Sequence, residues 1–159
     1  VKSSRDVAGD SGASATDRMR ASALKDDVSF LLARANALSL SAGHAALAPF
    51  NLRVRSYSIL ALVADDIRPS QRDIAEHLRL DPSQVVSLID DLQTRGLVKR
   101  DPDPTDRRTN VVVMTDEGRE LFRSAHDAVR AAERDLHSHL SPDQRERLSE
   151  LLLLVAFPD

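Results

Sequence analysis

The sequence predicts a mainly helical protein with one small β-hairpin, and two observations carry that prediction. Apolar residues recur at alternating three- and four-residue spacing through most of the chain, which places them on one side of a helix. One stretch breaks the rhythm, where short apolar runs flank a charged loop with two Asp-Pro steps. The composition agrees: of 159 residues 42% are hydrophobic but only 3% aromatic, so Leu, Val, Ile and Ala must fill the core. The length suits one domain.

Residues 1–22 are Ser, Gly, Ala and charge with few large apolar side chains, and read as a flexible N-terminal tail. A short helix from Asp17 onward, or a neighbouring subunit, would order part of it. From Leu24 the residues Val28, Leu31, Ala35, Leu38, Ala42 and Ala45 continue one stripe until Pro49, giving a helical segment over 23–50. A second helix is expected from Leu52 to Ala64, with Val54, Tyr57, Leu60 and Ala61 inward. Ser70 with Asp73 forms a capping box for a short third helix whose apolar side is Ile74, Ala75 and Leu78.

Asp81-Pro82 starts the next helix, a capping carboxylate followed by proline at the first helical position. Val85, Leu88, Ile89 and Leu92 recur at i, i+3, i+4, i+7, while Ser83, Gln84, Ser87, Asp91 and Thr94 project the other way. Gly96 is placed to end this helix in the left-handed conformation. Two strands are expected at Leu97–Arg100 and Asn110–Met114, around the loop Asp101–Thr109. Thr115-Asp116-Glu117 then opens a long helix with stripe Leu121, Phe122, Ala125, Val129, Ala132, Leu136 and Leu140. Ser141-Pro142-Asp143-Gln144 caps the last, whose apolar face is Leu148, Leu151, Leu152 and Val155.

Composition narrows the chemistry. The absence of cysteine removes disulfides, thiolate metal sites, thiol nucleophiles and thiol-oxidation sensing. The longest apolar run, Leu151–Phe157, is far short of the roughly 20 residues a spanning helix needs. The N-terminal stretch has no apolar h-region, and Asp6, Asp10 and Asp17 argue against a transit peptide, so a cytoplasmic location is expected. A net charge of −3 gives no support to nucleic-acid binding. Arginine nevertheless outnumbers lysine 19 to 3, a bias that GC-rich coding explains as well as phosphate recognition does.

Order is more telling than composition. Residues 70–114 run short helix, turn, capped helix with a polar outer face, and hairpin with an arginine-rich tip, which is a winged helix-turn-helix. In that arrangement the second helix enters a major groove with its N-terminal residues at the base edges, and the hairpin reaches a minor groove. The sequence resembles the MarR family of bacterial transcription regulators in Leu92 with Arg95-Gly96-Leu97-Val98, in Arg100-Asp101-Pro102, in Asp106-Arg107-Arg108 and in Met114-Thr115-Asp116-Glu117-Gly118. The resemblance covers Leu24 to the C-terminus. It departs at Val86 and Ser87, where Thr and Arg are common, and at Asp91, where a basic residue is common.

The resemblance implies a homodimer joined by its first and last two helices, double-stranded DNA as partner, and a small-molecule effector in a crevice beside the DNA-binding lobe. It divides the chain into a dimerisation helix over 23–50, a DNA-binding lobe over 51–114 and dimerisation helices over 115–159. Pro82, Ser83, Gln84 and Ser87 would face the major groove. In the wing, Asp106 would orient Arg108 into the minor groove and Arg107 would lie near phosphate. Ser70, Arg72 and Arg95 are candidates for phosphate contact, and His44, Arg53 and Tyr57 for the ligand pocket. The balance of eight basic and eight acidic residues over 68–108 predicts modest, salt-sensitive affinity.

The expected function is a DNA-binding regulator, a repressor by preference, on an inverted-repeat operator. A winged-helix module for protein association is the alternative. No catalytic residue is expected, since phosphate loop, nucleophile elbow and metal motif are all missing. No metal or other cofactor is expected either: His137 and His139 are two apart on different sides of a helix, and His126 lies too far along it.

Overall fold

The computed structural model describes residues 14–106 and 108–158. The expected tail at 1–22 therefore lies partly outside the described residues, as does Arg107. Helices are α1 Ala15–Arg20, α2 Val28–Leu47, α3 Val54–Ala64, α4 Gln71–His77, α5 Pro82–Thr94, α6 Asp116–Leu136 and α7 Pro142–Ala156. The strands β1 Val98–Pro102 and β2 Asn110–Met114 form one antiparallel hairpin. The chain divides into two compact units, 1–37 and 38–159.

In the first unit, Ser14 and Asp17 form a capping box for α1. The helix expected from Leu24 is interrupted. Ala23–Asp26 is a separate 3-10 turn, and α2 begins at Val28 because the Asp27 carboxylate accepts the Phe30 N–H at 2.9 Å.

The second unit holds the core. At the end of α2, Pro49 cannot continue the α-helical ladder, and the chain tightens into a 3-10 turn at Ala48–Phe50 before Asn51 at φ 51°. On α3 the expected inward face is corrected. Leu60 is buried, but Val54, Tyr57 and Ala61 are half-buried, and the core face is Ser56, Ile59, Leu60 and Val63. This helix is apolar on most sides, so spacing alone does not choose its inward face. Ile59, Leu60 and Val63 pack with Ile74, Val85, Ile89, Leu92, Val98 and Val112 in one cluster.

The hairpin pairs Val98 with Met114 through to Pro102 with Asn110. It is longer than expected on the β1 side, since Pro102 sits at the strand end, where its missing N–H costs no ladder bond. A third segment joins it: Ser70 bridges Val111, and the Val112 N–H donates to the Pro69 carbonyl at 2.8 Å. Thr115 caps α6 through the Gly118 N–H at 3.0 Å. A Cβ at Gly118 would lie 2.0 Å from the Leu97 carbonyl oxygen, so only glycine lets α6 start this close to the strand. On α7 no residue is buried.

Candidate nucleic-acid interface

The turn between α4 and α5 is short and fixed at both ends. The Ser70 hydroxyl accepts the Asp73 N–H at 3.2 Å, and the Asp73 carboxylate accepts the Ser70 N–H at 2.8 Å. At α5 the Asp81 carboxylate accepts the Ser83 N–H at 2.8 Å and bonds the Ser83 hydroxyl. These bonds hold both carboxyls below the ordinary aspartate range, chiefly through the serine hydroxyls. The negative charge also suits the positive end of each helix.

With Val85, Ile89 and Leu92 fully buried, α5 cannot roll, and Pro82, Ser83, Gln84 and Ser87 stand exposed on its opposite face. The Ser83 hydroxyl is held by the Asp81 carboxylate, whereas Ser87 and Gln84 have light partners at rest. Ser87 donates to the Ser83 carbonyl at 3.1 Å, and Gln84 accepts from Arg55 at 3.3 Å. Single contacts of this kind are cheaply exchanged for base edges.

In the wing the structure differs from the expected side-chain pair. The Asp106 carboxylate accepts the backbone N–H of Arg108 at 3.0 Å and the Thr109 hydroxyl at 3.4 Å. The Asp103 carboxylate likewise accepts the Thr105 N–H and hydroxyl, both at 2.6 Å. Two aspartates therefore shape the loop by side-chain-to-backbone turns, and the Arg108 side chain is exposed with no carboxylate partner among the described residues.

The candidates for phosphate contact separate. Ser70 is engaged in its cap, and Arg95 turns inward, donating to the carbonyls of Asn51 at 2.8 Å and Phe50 at 3.1 Å. Both are better read as scaffold than as contacts. Arg72 stands exposed on α4.

The ligand-pocket candidates fall into two adjacent spaces. Tyr57 lines an apolar cavity of about 190 Å³ with Leu40, Leu47, Val54, Val129 and Leu136. Its ring stacks on Phe122 at 5.6 Å, and its hydroxyl bonds His126 Nδ1 at 2.8 Å. Burial raises the Tyr57 phenol above its ordinary 10.0, Arg130 opposing and Glu133 adding. His44 and Arg53 instead line an open cleft of about 610 Å³, together with Arg55, Ser83, Gln84 and Ser87. Leu40 and Val54 belong to both walls.

Sequence reasoning missed Arg55 and Arg100. Arg55 sits in the first turn of α3, which holds no acidic residue, and a cation there opposes the helix dipole. That opposition was a readable signal. Arg100 gave none, because its partners come from two other helices. Among the described residues no group of His, Asp and Glu could hold a metal ion, and no helix is long and apolar enough to cross a membrane.

A family model described as "MarR family" matches residues 50–109, which span the helix-turn-helix and most of the wing. A MarR-family transcriptional regulator from Rhodococcus sp. RHA1 is 40% identical, with a TM-score of 0.79 over 86% of this chain and 99% of that one. CouR from Rhodococcus jostii RHA1, bound to p-coumaroyl-CoA, is 41% identical, with a TM-score of 0.78 over 86% and 96%. A transcriptional repressor also called CouR, bound to a 23-mer DNA duplex, is 29% identical, with a TM-score of 0.77 over 84% and 95%. A protein assigned to transcriptional regulation of the hcr operon in Thauera aromatica is 32% identical over 60% of this chain, and the match spans only 58% of its length. With winged-helix geometry in place and 40% identity to nearly the whole of a family member, the chain belongs to the MarR family of transcription regulators.

Proposed function

We propose that the protein is a repressor that binds an inverted-repeat duplex as a homodimer and is released by a small molecule. One observation carries the DNA reading: α5 is locked by its buried face and presents Ser83, Gln84 and Ser87 outward beside a shaped, arginine-bearing wing. The duplex-bound repressor CouR supports it. Asp106, Arg107 and Arg108 serve the minor groove, and Arg72 a phosphate.

Dimerisation is supported by what α2 and α7 leave uncovered. Val28, Leu31 and Leu38 on α2, and Leu151, Leu153, Leu154 and Val155 on α7, are at least 45% exposed. Apolar faces of that extent fit a second copy of the chain. The effector reading rests on the apolar cavity at Tyr57 and on the p-coumaroyl-CoA bound by CouR, which favours an aromatic CoA thioester.

The decisive test is selection of bound duplexes from a random pool with the full chain. The expected result is an inverted repeat with half-site centres about 34–36 Å apart. Recovery of no duplex above background would overturn the reading and favour a protein-association role.

A further inference from the structure

The outward face of α5 consists of two rows along the helix, and both end on acid. Residues four apart share a face, so Pro82, Val86 and Asp90 form one row and Ser83, Ser87 and Asp91 the other, all six exposed. Asp90 is matched by Arg100 at 2.6 Å. Asp91 is matched less closely: its carboxylate is 62% exposed and lies 3.9 Å from an Arg95 guanidinium that already donates to two backbone carbonyls. A carboxylate so placed repels a phosphate, which keeps the third turn of α5 from a duplex backbone and leaves base reading to the first two. Within those two turns Val86 is the one large apolar side chain left exposed, at 39%.

A lone apolar residue on a protein surface is ordinary, but a valine at a base edge has a narrow chemistry. It has neither donor nor acceptor. It can therefore discriminate between bases only by apolar contact, and the apolar group that the major groove displays is the C5 methyl of thymine. Pro82, one turn earlier in the same row, widens the apolar patch. We propose that Val86 reads a thymine methyl in each half-site, so that a pyrimidine without that methyl is bound less well at this position. This rests on the DNA reading above and deepens it by naming a base. Gln84 and Ser87 carry hydrogen-bonding side chains and answer to donors and acceptors, to which Val86 is blind. The contact involves no charge, which separates it from every arginine contact in the wing.

The test uses the full chain and the duplex it selects. Each thymine of the half-site is replaced in turn by deoxyuridine, which removes the C5 methyl and keeps the hydrogen-bonding groups of the base. Affinities are measured by fluorescence anisotropy for wild type, Val86→Ser and Val86→Thr, and matching thermal midpoints establish that the variants fold. In wild type one thymine per half-site should be methyl-sensitive, with deoxyuridine there raising Kd about fourfold, the worth of one buried methyl group. That ratio should hold across a salt series, because an apolar contact releases no counterion. At the same position Val86→Ser should bind the thymine and deoxyuridine duplexes alike, and Val86→Thr, which keeps one methyl, should retain part of the preference. Wild type should also bind 5-methylcytosine there better than cytosine, and Val86→Ser should not. The absence of a methyl-sensitive thymine in wild type, or a preference that survives Val86→Ser, overturns the proposal and leaves the DNA reading standing. A wild-type protein that selects no duplex removes both.

Discussion

Arg100 of β1 meets Asp90 of α5 at 2.6 Å, and the same guanidinium donates to Gln93 at 2.6 Å and to Gln71 of α4 at 2.9 and 2.6 Å. One side chain thereby pins the wing to both helices of the DNA-binding motif. Arg100→Ala should cost about 1–3 kcal/mol, since it orphans several charge-assisted bonds. Asp90→Ala should cost less than about 1 kcal/mol, because the carboxylate is more than half exposed and the two glutamines remain. Urea unfolding midpoints of the two variants check this, and equal losses would show that the hub is only an ion pair.

The two structural glycines should behave differently. At Gly118 a methyl group meets the Leu97 carbonyl, which cannot swing aside as a side chain would. Gly118→Ala should therefore destabilise by about 3 kcal/mol or more. At Gly96 nothing lies within 4 Å, and only φ +71° resists substitution, so Gly96→Ala should cost about 1–2 kcal/mol. Thermal melts of both would rank them, and a larger loss at Gly96 would contradict the contact argument.

In the wing, Asp106 acts on the backbone and not on the guanidinium it was expected to orient. Asp106→Asn should therefore keep duplex affinity near wild type, because an amide oxygen can still accept the Arg108 N–H. Asp106→Ala should weaken binding although it removes a negative charge. Arg108→Ala should flatten the salt dependence by about one counterion per subunit. Affinities measured over a salt series separate the three, and tighter binding by Asp106→Ala would reduce the wing to a plain charge patch.

Those caps also set a pH dependence. Asp73 and Asp81 have folded values depressed below the ordinary 3.8, through their serine bonds. Their contribution is thus complete above 3.8 and lost as pH falls through the depressed values. Asp73→Asn/Asp81→Asn should lower the thermal midpoint modestly at neutral pH, where both carboxylates are ionised, and flatten its decline in that acid range. A decline as steep as wild type would place the acid sensitivity elsewhere.

What the sequence made legible was local. Ser70, Asp81, Thr115 and Ser141 each bond a backbone amide two or three residues on, so the caps, and with them most helix starts, are written in short stretches of chain. The outward face of α5 followed for the same reason, its apolar positions being few and in one stripe. The inward face of α3 did not, because choosing among its apolar sides depends on where α6 lies. Arg100 reaches Gln71 and Arg55 reaches Gln84, each 29 residues away, and Arg95 turns to carbonyls 44 and 45 residues back. Such bonds exist only after the helices have packed, and no periodicity announces them.

The leucine-rich α7, with no residue buried within the chain, makes survival of the protein a matter of numbers. If its cover is another copy, folding free energy includes association, and the unfolding midpoint must rise with protein concentration. A freshly made subunit in a cell holding few others keeps that helix bare to proteases and chaperones, while one made among many is sheltered. The regulator would then have a threshold abundance below which it is cleared faster than it assembles, independent of any operator or effector.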